Sequence, residues 1–309
     1  MAHTHHHHDH HSHNHHSHDL KGKNLLISIV LNVVITLAQV VGGIISGSLA
    51  LLSDAVHNLS DVVSLIISYA ANSLSRKQAS TNRTFGYKRA EIIAAFVNSA
   101  TLIIVAIFLI KEAIERFLNP QGVGTGIVIA LSILGILVNG FSVLLLKSDS
   151  ERNMNMRSAY LHLFTDMMAS VAVLVGGILM YFFGWYWIDP LLTLIIALYL
   201  IYMGYQLLKS STRVLMLFTP ESIEVQQIVK AICALGPIEN VHHVHIWQLN
   251  EDELHMEAHI DFKKDIALSE FDKILVDIEK LVYKEFGINH VNIQPEFEKC
   301  DSKNIIVQD

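Results

Sequence analysis

The sequence is poor in charge and in cysteine, and both shortages narrow the class of protein. Of its 309 residues, 17% are charged and 51% are hydrophobic, whereas a soluble globular chain carries about 25% charge. This composition predicts an integral membrane protein and excludes a disordered or fibrous chain. The two cysteines, Cys233 and Cys300, form no CxxC pair, which excludes a disulfide scaffold and a zinc ribbon.

Excess positive charge and a nucleotide-binding motif are also lacking. The formal net charge is −7 with histidine neutral, so electrostatics give no support for nucleic-acid binding. The phosphate-binding pattern GxxxxGK[ST] does not occur in the chain. Any transport by this protein is therefore expected to draw its energy from an ion gradient rather than from ATP.

Histidine is abundant instead: the chain has 19 histidines, and 11 of them precede Leu20. Residues 1–19 contain no apolar core, so they are not a signal peptide and cannot fold alone. Serine, asparagine and aspartate interrupt the histidine run, which favours a native, disordered, metal-binding cytoplasmic tail over a purification tag. A tag or cloning product is the alternative interpretation.

Six apolar stretches follow this tail. They are 25–46, 48–74, 90–117, 122–146, 157–183 and 187–208. Each is long enough to cross the ~30 Å hydrocarbon core of a bilayer, which takes ~20 helical residues at ~1.5 Å per residue. The sequence therefore predicts an α-helical membrane protein with a six-helix transmembrane transport domain over residues 20–212, and with both termini on one side.

Lysine and arginine set the expected orientation of these spans. They cluster in the loops at 75–89 and 147–156 and are absent from the stretches around residues 47 and 185. The positive-inside rule places both loops and both termini in the cytoplasm.

After residue 212 the apolar runs give way to alternating apolar and polar residues. The pattern predicts helices at 221–235 and 268–286, and strands at 241–249, 254–262 and 288–294, the last ended by Pro295. The order αββαβ is typical of a small α+β domain of the ferredoxin-like type, with its helices on one face of a sheet. Residues 213–309 are therefore predicted to form a separate cytoplasmic domain.

Two apolar stretches each carry a histidine–aspartate pair in their interior, although a charge at the bilayer centre costs ~2.5–3.5 kcal/mol or more. The second stretch has His57 and Asp61, and the fifth has His162 and Asp166. Each pair is spaced i, i+4, so its two side chains lie on one face of a helix. The two faces can meet within the bilayer and supply two imidazoles and two carboxylates, which suits four-coordinate Zn²⁺. Asp54, one turn before His57, is expected beside this site or at its entrance rather than as a fifth ligand.

Other interpretations of these residues stay open at this point. Ca²⁺ and Mg²⁺ prefer oxygen ligands and fit poorly, but Co²⁺, Cd²⁺, Ni²⁺ and Fe²⁺ also accept imidazole together with carboxylate. The two pairs could instead form hydrogen bonds that only hold the helices together.

Three segments resemble the cation diffusion facilitator family, in its bacterial zinc-efflux branch. They are SLALLSDAVHNLSD at 48–61, RTFGYKRAE at 83–91 and HLFTD at 162–166. The resemblance implies a six-span antiporter that moves Zn²⁺ out of the cytoplasm against incoming protons and works as a homodimer. In this family, two histidines with two aspartates go with zinc preference. Members with aspartate in place of the histidine in span two tolerate cadmium or iron better.

The resemblance also implies a role for residues 213–309 in dimerisation and in binding regulatory metal. It favours His242, His259 and His290, with Glu296, as ligands, and Cys300 is a further candidate. Strand alternation predicts that His243 and His245 share one face of the first strand while His242 lies on the other. No prosthetic group is implied, and Zn²⁺ is expected as both substrate and regulatory ligand.

Two departures from the family pattern bear on the expected function. The loop 75–89 has no histidine or aspartate, so the further metal site that some members carry there is expected to be absent. No histidine-rich loop joins the fourth and fifth stretches, as it does in animal vesicular members, and this favours an exporter of the bacterial plasma membrane.

Functions from other classes fit the sequence less well. A membrane metal sensor would bind metal in its cytoplasmic domain and rearrange its dimer without transport, but ligands within the membrane argue against it. A channel needs weak binding and easy exit, and a four-ligand site argues against that. An enzyme is not expected, because four protein ligands leave no open position for water on the metal.

Overall fold

The computed structural model describes residues 19–75, 79–150, 154–250 and 253–307. The predicted histidine-rich tail, apart from Asp19, lies outside the described residues. The chain divides into two compact units, which are Met1–Val62 with Val105–Leu200 and Val63–Ile104 with Ile201–Asp309.

The six helices predicted for the membrane region are all present. They are α1 (Asp19–Ser46), α2 (Leu49–Ser75), α3 (Ala90–Leu118), α4 (Thr125–Ser150), α5 (Met154–Phe183) and α6 (Ile188–Leu215). Within the described residues, five segments are long and apolar enough to cross a membrane: Ile27–Ser46, Ala90–Leu118, Thr125–Lys147, Tyr160–Phe183 and Ile188–Leu215. The polar helix α2 has 27 residues but is not one of these five.

The first unit exposes large apolar side chains and buries several polar ones. Phe108, Leu144 and Phe182 are 66%, 71% and 72% exposed, while Asn139 and Ser170 are buried. A water-soluble protein tends to the opposite pattern. An apolar exterior over polar contacts between helices is what a lipid environment requires.

Small residues let α4 and α5 approach closely. A Cβ at Gly135 on α4 would lie 2.9 Å from the hydroxyl of Ser170 on α5 and 3.2 Å from Nε2 of Gln39 on α1. A larger residue at position 135 would therefore displace the Ser170 hydroxyl and crowd the Gln39 amide. Close helix approach through small residues is common in membrane bundles, and here it sets the position of the buried polar groups around α5.

The buried carboxylate of Asp189, at the start of α6, caps the start of α2. Its Oδ1 accepts a hydrogen bond from the Ser48 hydroxyl at 2.5 Å, and its Oδ2 accepts one from the Leu49 amide at 2.8 Å. The Ala50 amide donates to Oδ1 at 3.3 Å. The first amides of a helix have no partner within the helix, so Asp189 satisfies them from outside and fixes α2 in position.

We expect Asp189→Ala to lower the free energy of unfolding by about 3 kcal/mol, because three donors lose a charged, buried acceptor. Thermal melting of the purified protein in detergent, followed by size-exclusion chromatography, measures the change. Ser48→Ala is the control, since it removes the serine hydroxyl and leaves both amide bonds, and it should be less destabilised. Equal melting temperatures for the two variants would contradict the capping role.

The predicted order αββαβ is present in the second unit. Its elements are α7 (Val225–Cys233), β1 (Ile238–Gln248), β2 (Leu254–Phe262), α8 (Leu268–Phe286) and β3 (His290–Glu296). The sheet order is β1-β2-β3, with β1 antiparallel and β3 parallel to β2. Fully buried side chains of Ile228, Met256, Ile260 and Ile278 form the centre of its core.

The prediction that Pro295 ends the third strand is wrong. Pro295 pairs with Ile260 within β3, which continues to Glu296. Proline cannot donate a ladder hydrogen bond, but an edge strand tolerates it because one side of such a strand has no partner strand. β3 is an edge strand of this sheet, and its extra length places Glu296 at the strand end.

Candidate metal centres

Helices α2 and α5 bring the four predicted transport residues together. Nδ1 of His57 lies 3.8 Å from Oδ2 of Asp61, and Nε2 of His57 lies 3.6 Å from Oδ1 of Asp166. Nε2 of His162 lies 3.3 Å from the same Asp61 oxygen and 3.5 Å from Oδ2 of Asp166. Four ligands at ~2.0–2.1 Å from a tetrahedral Zn²⁺ are ~3.3 Å from one another. The separations from Nε2 of His162 are close to that value, whereas His57 reaches Asp61 and Asp166 with different ring nitrogens. With one ligand atom from each residue, the group within 4.8 Å in the described part of the chain is His57, Asp61 and His162.

Exposure rises across this group of four. The side chain of Asp166 is 0% exposed and that of His57 is 13%, whereas Asp61 and His162 are 32% and 41% exposed. Neither carboxylate oxygen of Asp166 makes a hydrogen bond to any described residue. A buried carboxylate without hydrogen bonds needs a compensating positive charge. The donor set, two nitrogens and two oxygens, fits a divalent metal in that role.

Asp54 lies beside this group in a separate polar network. Its Oδ2 accepts hydrogen bonds from Nε2 of Gln39 at 3.0 Å and from the Ser170 hydroxyl at 3.4 Å. Nδ2 of Asn58 donates to Oε1 of Gln39 at 3.3 Å. All four side chains are buried. Gln39 and Ser170 were not among the predicted site residues, although a glutamine within the apolar run of α1 is a signal in the sequence.

A second group forms at the sheet of the second unit. His242, His259, Glu296 and Asp301 each offer a ligand atom, and these atoms lie within 4.8 Å of one another. Oε1 of Glu296 is 3.0 Å from Nδ1 of His259, and Oε2 is 3.3 Å from Nε2 of His242. Three of these residues were predicted, and Asp301 was not. Its position depends on the fold-back of the chain after β3, which no sequence pattern indicates.

His290 lies away from this group. It pairs with His255 across β2 and β3, and the two ring centroids are 4.4 Å apart. His290 begins β3 and Glu296 ends it, so at about 3.3 Å per residue the two lie about 20 Å apart. The structure therefore does not bring His290 to His242 and His259. Cys300 is exposed and belongs to neither group among the described residues.

A bulge in β1 changes which histidines share a face. The register of β1 against β2 shifts between His242 and His245, and His243 has a φ of 50°. The ring of His259 consequently lies 5.4 Å from that of His242 and 4.5 Å from that of His243. The predicted separation of His242 from His243 by strand alternation is therefore wrong, because a bulge interrupts the alternation.

The chemistry of the second group also fits a metal ion. The His242 side chain is buried, and neither ring nitrogen makes a hydrogen bond within the described part of the chain. Burial lowers the pKa of His259, with nearby His243 and Lys299 acting in the same direction against Glu296. A neutral imidazole is the form that binds metal. Two imidazoles facing carboxylates are a donor set that suits Zn²⁺.

Comparison with known proteins places most of the chain in one family. The model of the cation efflux transmembrane domain matches residues 25–216, and that of the cation efflux protein cytoplasmic domain matches residues 220–298. A "Cadmium, cobalt and zinc/H(+)-K(+) antiporter" of Bacillus subtilis is 41% identical over 92% of this chain and 92% of its own length.

Two further relatives are similar over most of the chain. The "Metal cation efflux system protein CzcD" of Cupriavidus metallidurans is 35% identical over 90% of this chain and 88% of its own. The "Zinc transporter ZitB" of Escherichia coli is 34% identical over 97% of this chain and 94% of its own. With its apolar helices, the protein is a multi-pass membrane protein. The chain belongs to the cation diffusion facilitator family, in the branch of zinc, cadmium and cobalt efflux proteins.

Proposed function

We propose that this protein is a proton-coupled antiporter that exports Zn²⁺ from the cytoplasm, with Cd²⁺ and Co²⁺ as further substrates. The observation that carries the proposal is the group of two imidazoles and two carboxylates on α2 and α5, in which each imidazole has a nitrogen 3.3 to 3.8 Å from an oxygen of both Asp61 and Asp166. The names of the relatives support the choice of metals and of antiport.

Transport would proceed by alternating access to this group. Metal binding requires deprotonated ligands, so Zn²⁺ entering from the cytoplasm releases protons from the site. When the site opens outward, protons compete for the imidazoles and carboxylates and displace the metal. The protonated site then returns to face the cytoplasm, so the export of one metal ion is coupled to the entry of protons. The buried Asp54 on α2 is held by Gln39 of α1 and Ser170 of α5. These bonds fix α2, with His57 and Asp61, against α5, with His162 and Asp166.

The proposed topology has six spans, with α2 as the sixth membrane helix. Residues 20–212 form the transport domain of a plasma-membrane protein, residues 213–309 form a cytoplasmic domain for dimerisation and regulatory metal, and both termini are cytoplasmic. The regulatory ligands are His242, His259 and Glu296. Buried Asp189 caps the start of α2. This cap supports a position of α2 within the membrane, because every backbone donor in lipid needs a protein partner.

Metal uptake into proteoliposomes of the purified protein tests the proposal. A zinc dye and a pH dye are read together under an imposed pH gradient, with Zn²⁺, Cd²⁺, Co²⁺ and Mn²⁺ in turn. The expected result is saturable Zn²⁺ flux with an opposite proton flux. Metal flux without proton movement would indicate a channel. No flux from a folded protein that binds Zn²⁺ tightly would favour a membrane metal sensor.

A further inference from the structure

The C-terminal segment, residues 297–307, folds back onto the sheet of the cytoplasmic domain. The amides of His243 and Val244 donate hydrogen bonds to the carbonyls of Asn304 and Ile305 at 3.1 and 2.8 Å, and Ile305 packs against the core. All but the first two residues of the segment follow the stretch that the family model matches, which ends at residue 298. Most of the segment therefore lies outside the matched family domain.

Two lysines of this segment hold the carboxylates of the proposed regulatory site. Nζ of Lys303 lies 2.6 Å from Oδ1 of Asp301 and 3.3 Å from Oε2 of Glu296. It also donates to Oδ1 of Asp261 at 2.8 Å. Nζ of Lys299 lies 2.5 Å from Oε1 of Glu296 and 3.2 Å from Oδ2 of Asp301. Both ammonium groups thus bind oxygens that a metal ion would need.

The same carboxylates face the buried imidazole of His242. Nδ1 of His242 is 3.2 Å from Oδ2 of Asp261, and Nε2 is 3.3 Å from Oε2 of Glu296 and 3.7 Å from Oδ1 of Asp301. Burial opposes ionisation of Glu296, but hydrogen bonds from Lys299, Gln294 and Lys303 outweigh it and lower the pKa of its carboxyl. Glu296 and Asp301 therefore lie close to the His242 imidazole and to both ammonium groups.

We propose that Lys299 and Lys303 are built-in competitors of a divalent cation such as Zn²⁺ at the cytoplasmic site, and that Asp301 is a further ligand there. The inference rests on the proposed regulatory site. An ammonium group and a divalent cation repel each other strongly at ~4 Å in a partly buried site. Zn²⁺ must therefore displace both lysines from Glu296 and Asp301, and the lysines raise the metal concentration at which the site fills.

Zinc binding to the full-length protein in detergent tests this competition. The background carries the double substitution Asp61→Ala with Asp166→Ala and serine in place of the 11 histidines before Leu20. Neither the transmembrane group nor the histidine-rich tail then contributes, and a chelating dye measures the affinity. Lys303→Met is expected to bind Zn²⁺ about tenfold more tightly, equivalent to about 1.4 kcal/mol. The metal-free variant is expected to melt at a lower temperature, because three carboxylates lose their contact with the ammonium group of Lys303. Zn²⁺ should raise its melting temperature more than it raises that of the parent.

Two control variants separate competition from a general effect of charge. Lys303→Arg keeps the positive charge, and Lys264→Met removes a lysine that pairs with Glu270 at 3.8 Å in the same domain. Both are expected to keep the parent's affinity. Asp301→Asn should weaken Zn²⁺ binding, as expected for the loss of a ligand.

Unchanged or weaker Zn²⁺ binding by Lys303→Met would overturn the competition while leaving the regulatory site in place. If that variant does not fold, Lys299→Met tests the same expected increase in Zn²⁺ affinity. The Lys299 side chain is more exposed than that of Lys303, and its ammonium group contacts two of the same carboxylates. A parent that binds no Zn²⁺ in this background would overturn both the competition and the regulatory site. Proteoliposome flux, measured without the background substitutions, would still decide the transport proposal separately.

Discussion

Asp166→Asn is expected to reduce Zn²⁺ flux about 100-fold or more, since even partners that only orient a metal ligand are worth 10- to 100-fold. Asp166 is the one fully buried side chain of the four transport residues, and its two oxygens lie 3.6 and 3.5 Å from the imidazoles of His57 and His162. Asparagine has nearly the same shape but carries no charge. The initial rate of Zn²⁺ uptake into proteoliposomes, at equal protein content, measures the effect.

The same substitution is not expected to unfold the protein. Neither oxygen of Asp166 makes a hydrogen bond to a described residue, and replacing a buried charge by a neutral group removes a desolvation cost. Asp166→Asn should therefore melt at the parent's temperature or above it. Thr165→Ala is the matched control on α5, because the exposed Thr165 hydroxyl donates only to the Leu161 carbonyl one turn away. Parent-like flux in Asp166→Asn would move the transport site elsewhere.

Local spacing was sufficient to predict that the four proposed transport residues lie close together. His57 with Asp61, and His162 with Asp166, each lie one helical turn apart on long helices, and α-helix geometry alone puts such pairs on one face. Two such faces on antiparallel neighbouring spans are expected to meet, because ionisable side chains in a membrane point into the helix bundle. The helix α2 itself was predicted at 48–74 and is present at Leu49–Ser75, because its boundary follows the apolar run.

Residues that depend on tertiary structure were not predictable in the same way. Gln39 on α1 and Ser170 on α5 meet Asp54 on α2 where both side chains also lie beside Gly135 of α4. The pattern of a sequence indicates which face of a helix is polar, but it does not give the neighbour that the face meets. Sequence-distant partners of this kind need the packed structure.

The second group, His242, His259, Glu296 and Asp301, was only partly predictable, for a different reason. The order αββαβ follows from periodicity, but the bulge at His243 breaks the alternation on which the assignment of strand faces depends. The fold-back that brings Asp301 to His242 is a loop without periodicity. His290 was assigned by resemblance alone and lies at the opposite end of β3 from Glu296. A shift of a few residues along a strand is enough to move a ligand by many ångströms.

His57→Asp is expected to lower the preference for Zn²⁺ over Cd²⁺ by about tenfold, equivalent to about 1.4 kcal/mol. The imidazole of His57 lies between Asp61 and Asp166, so the variant would present three carboxylates and one imidazole. An added oxygen ligand shifts a site away from Zn²⁺, and the shorter aspartate side chain leaves room for the larger Cd²⁺. Uptake from mixtures of the two metals measures the ratio directly. His57→Ala is the control, because it removes the ligand without replacing it and should reduce flux of both metals alike. A parent-like ratio in His57→Asp would show that the residue at position 57 does not select the metal.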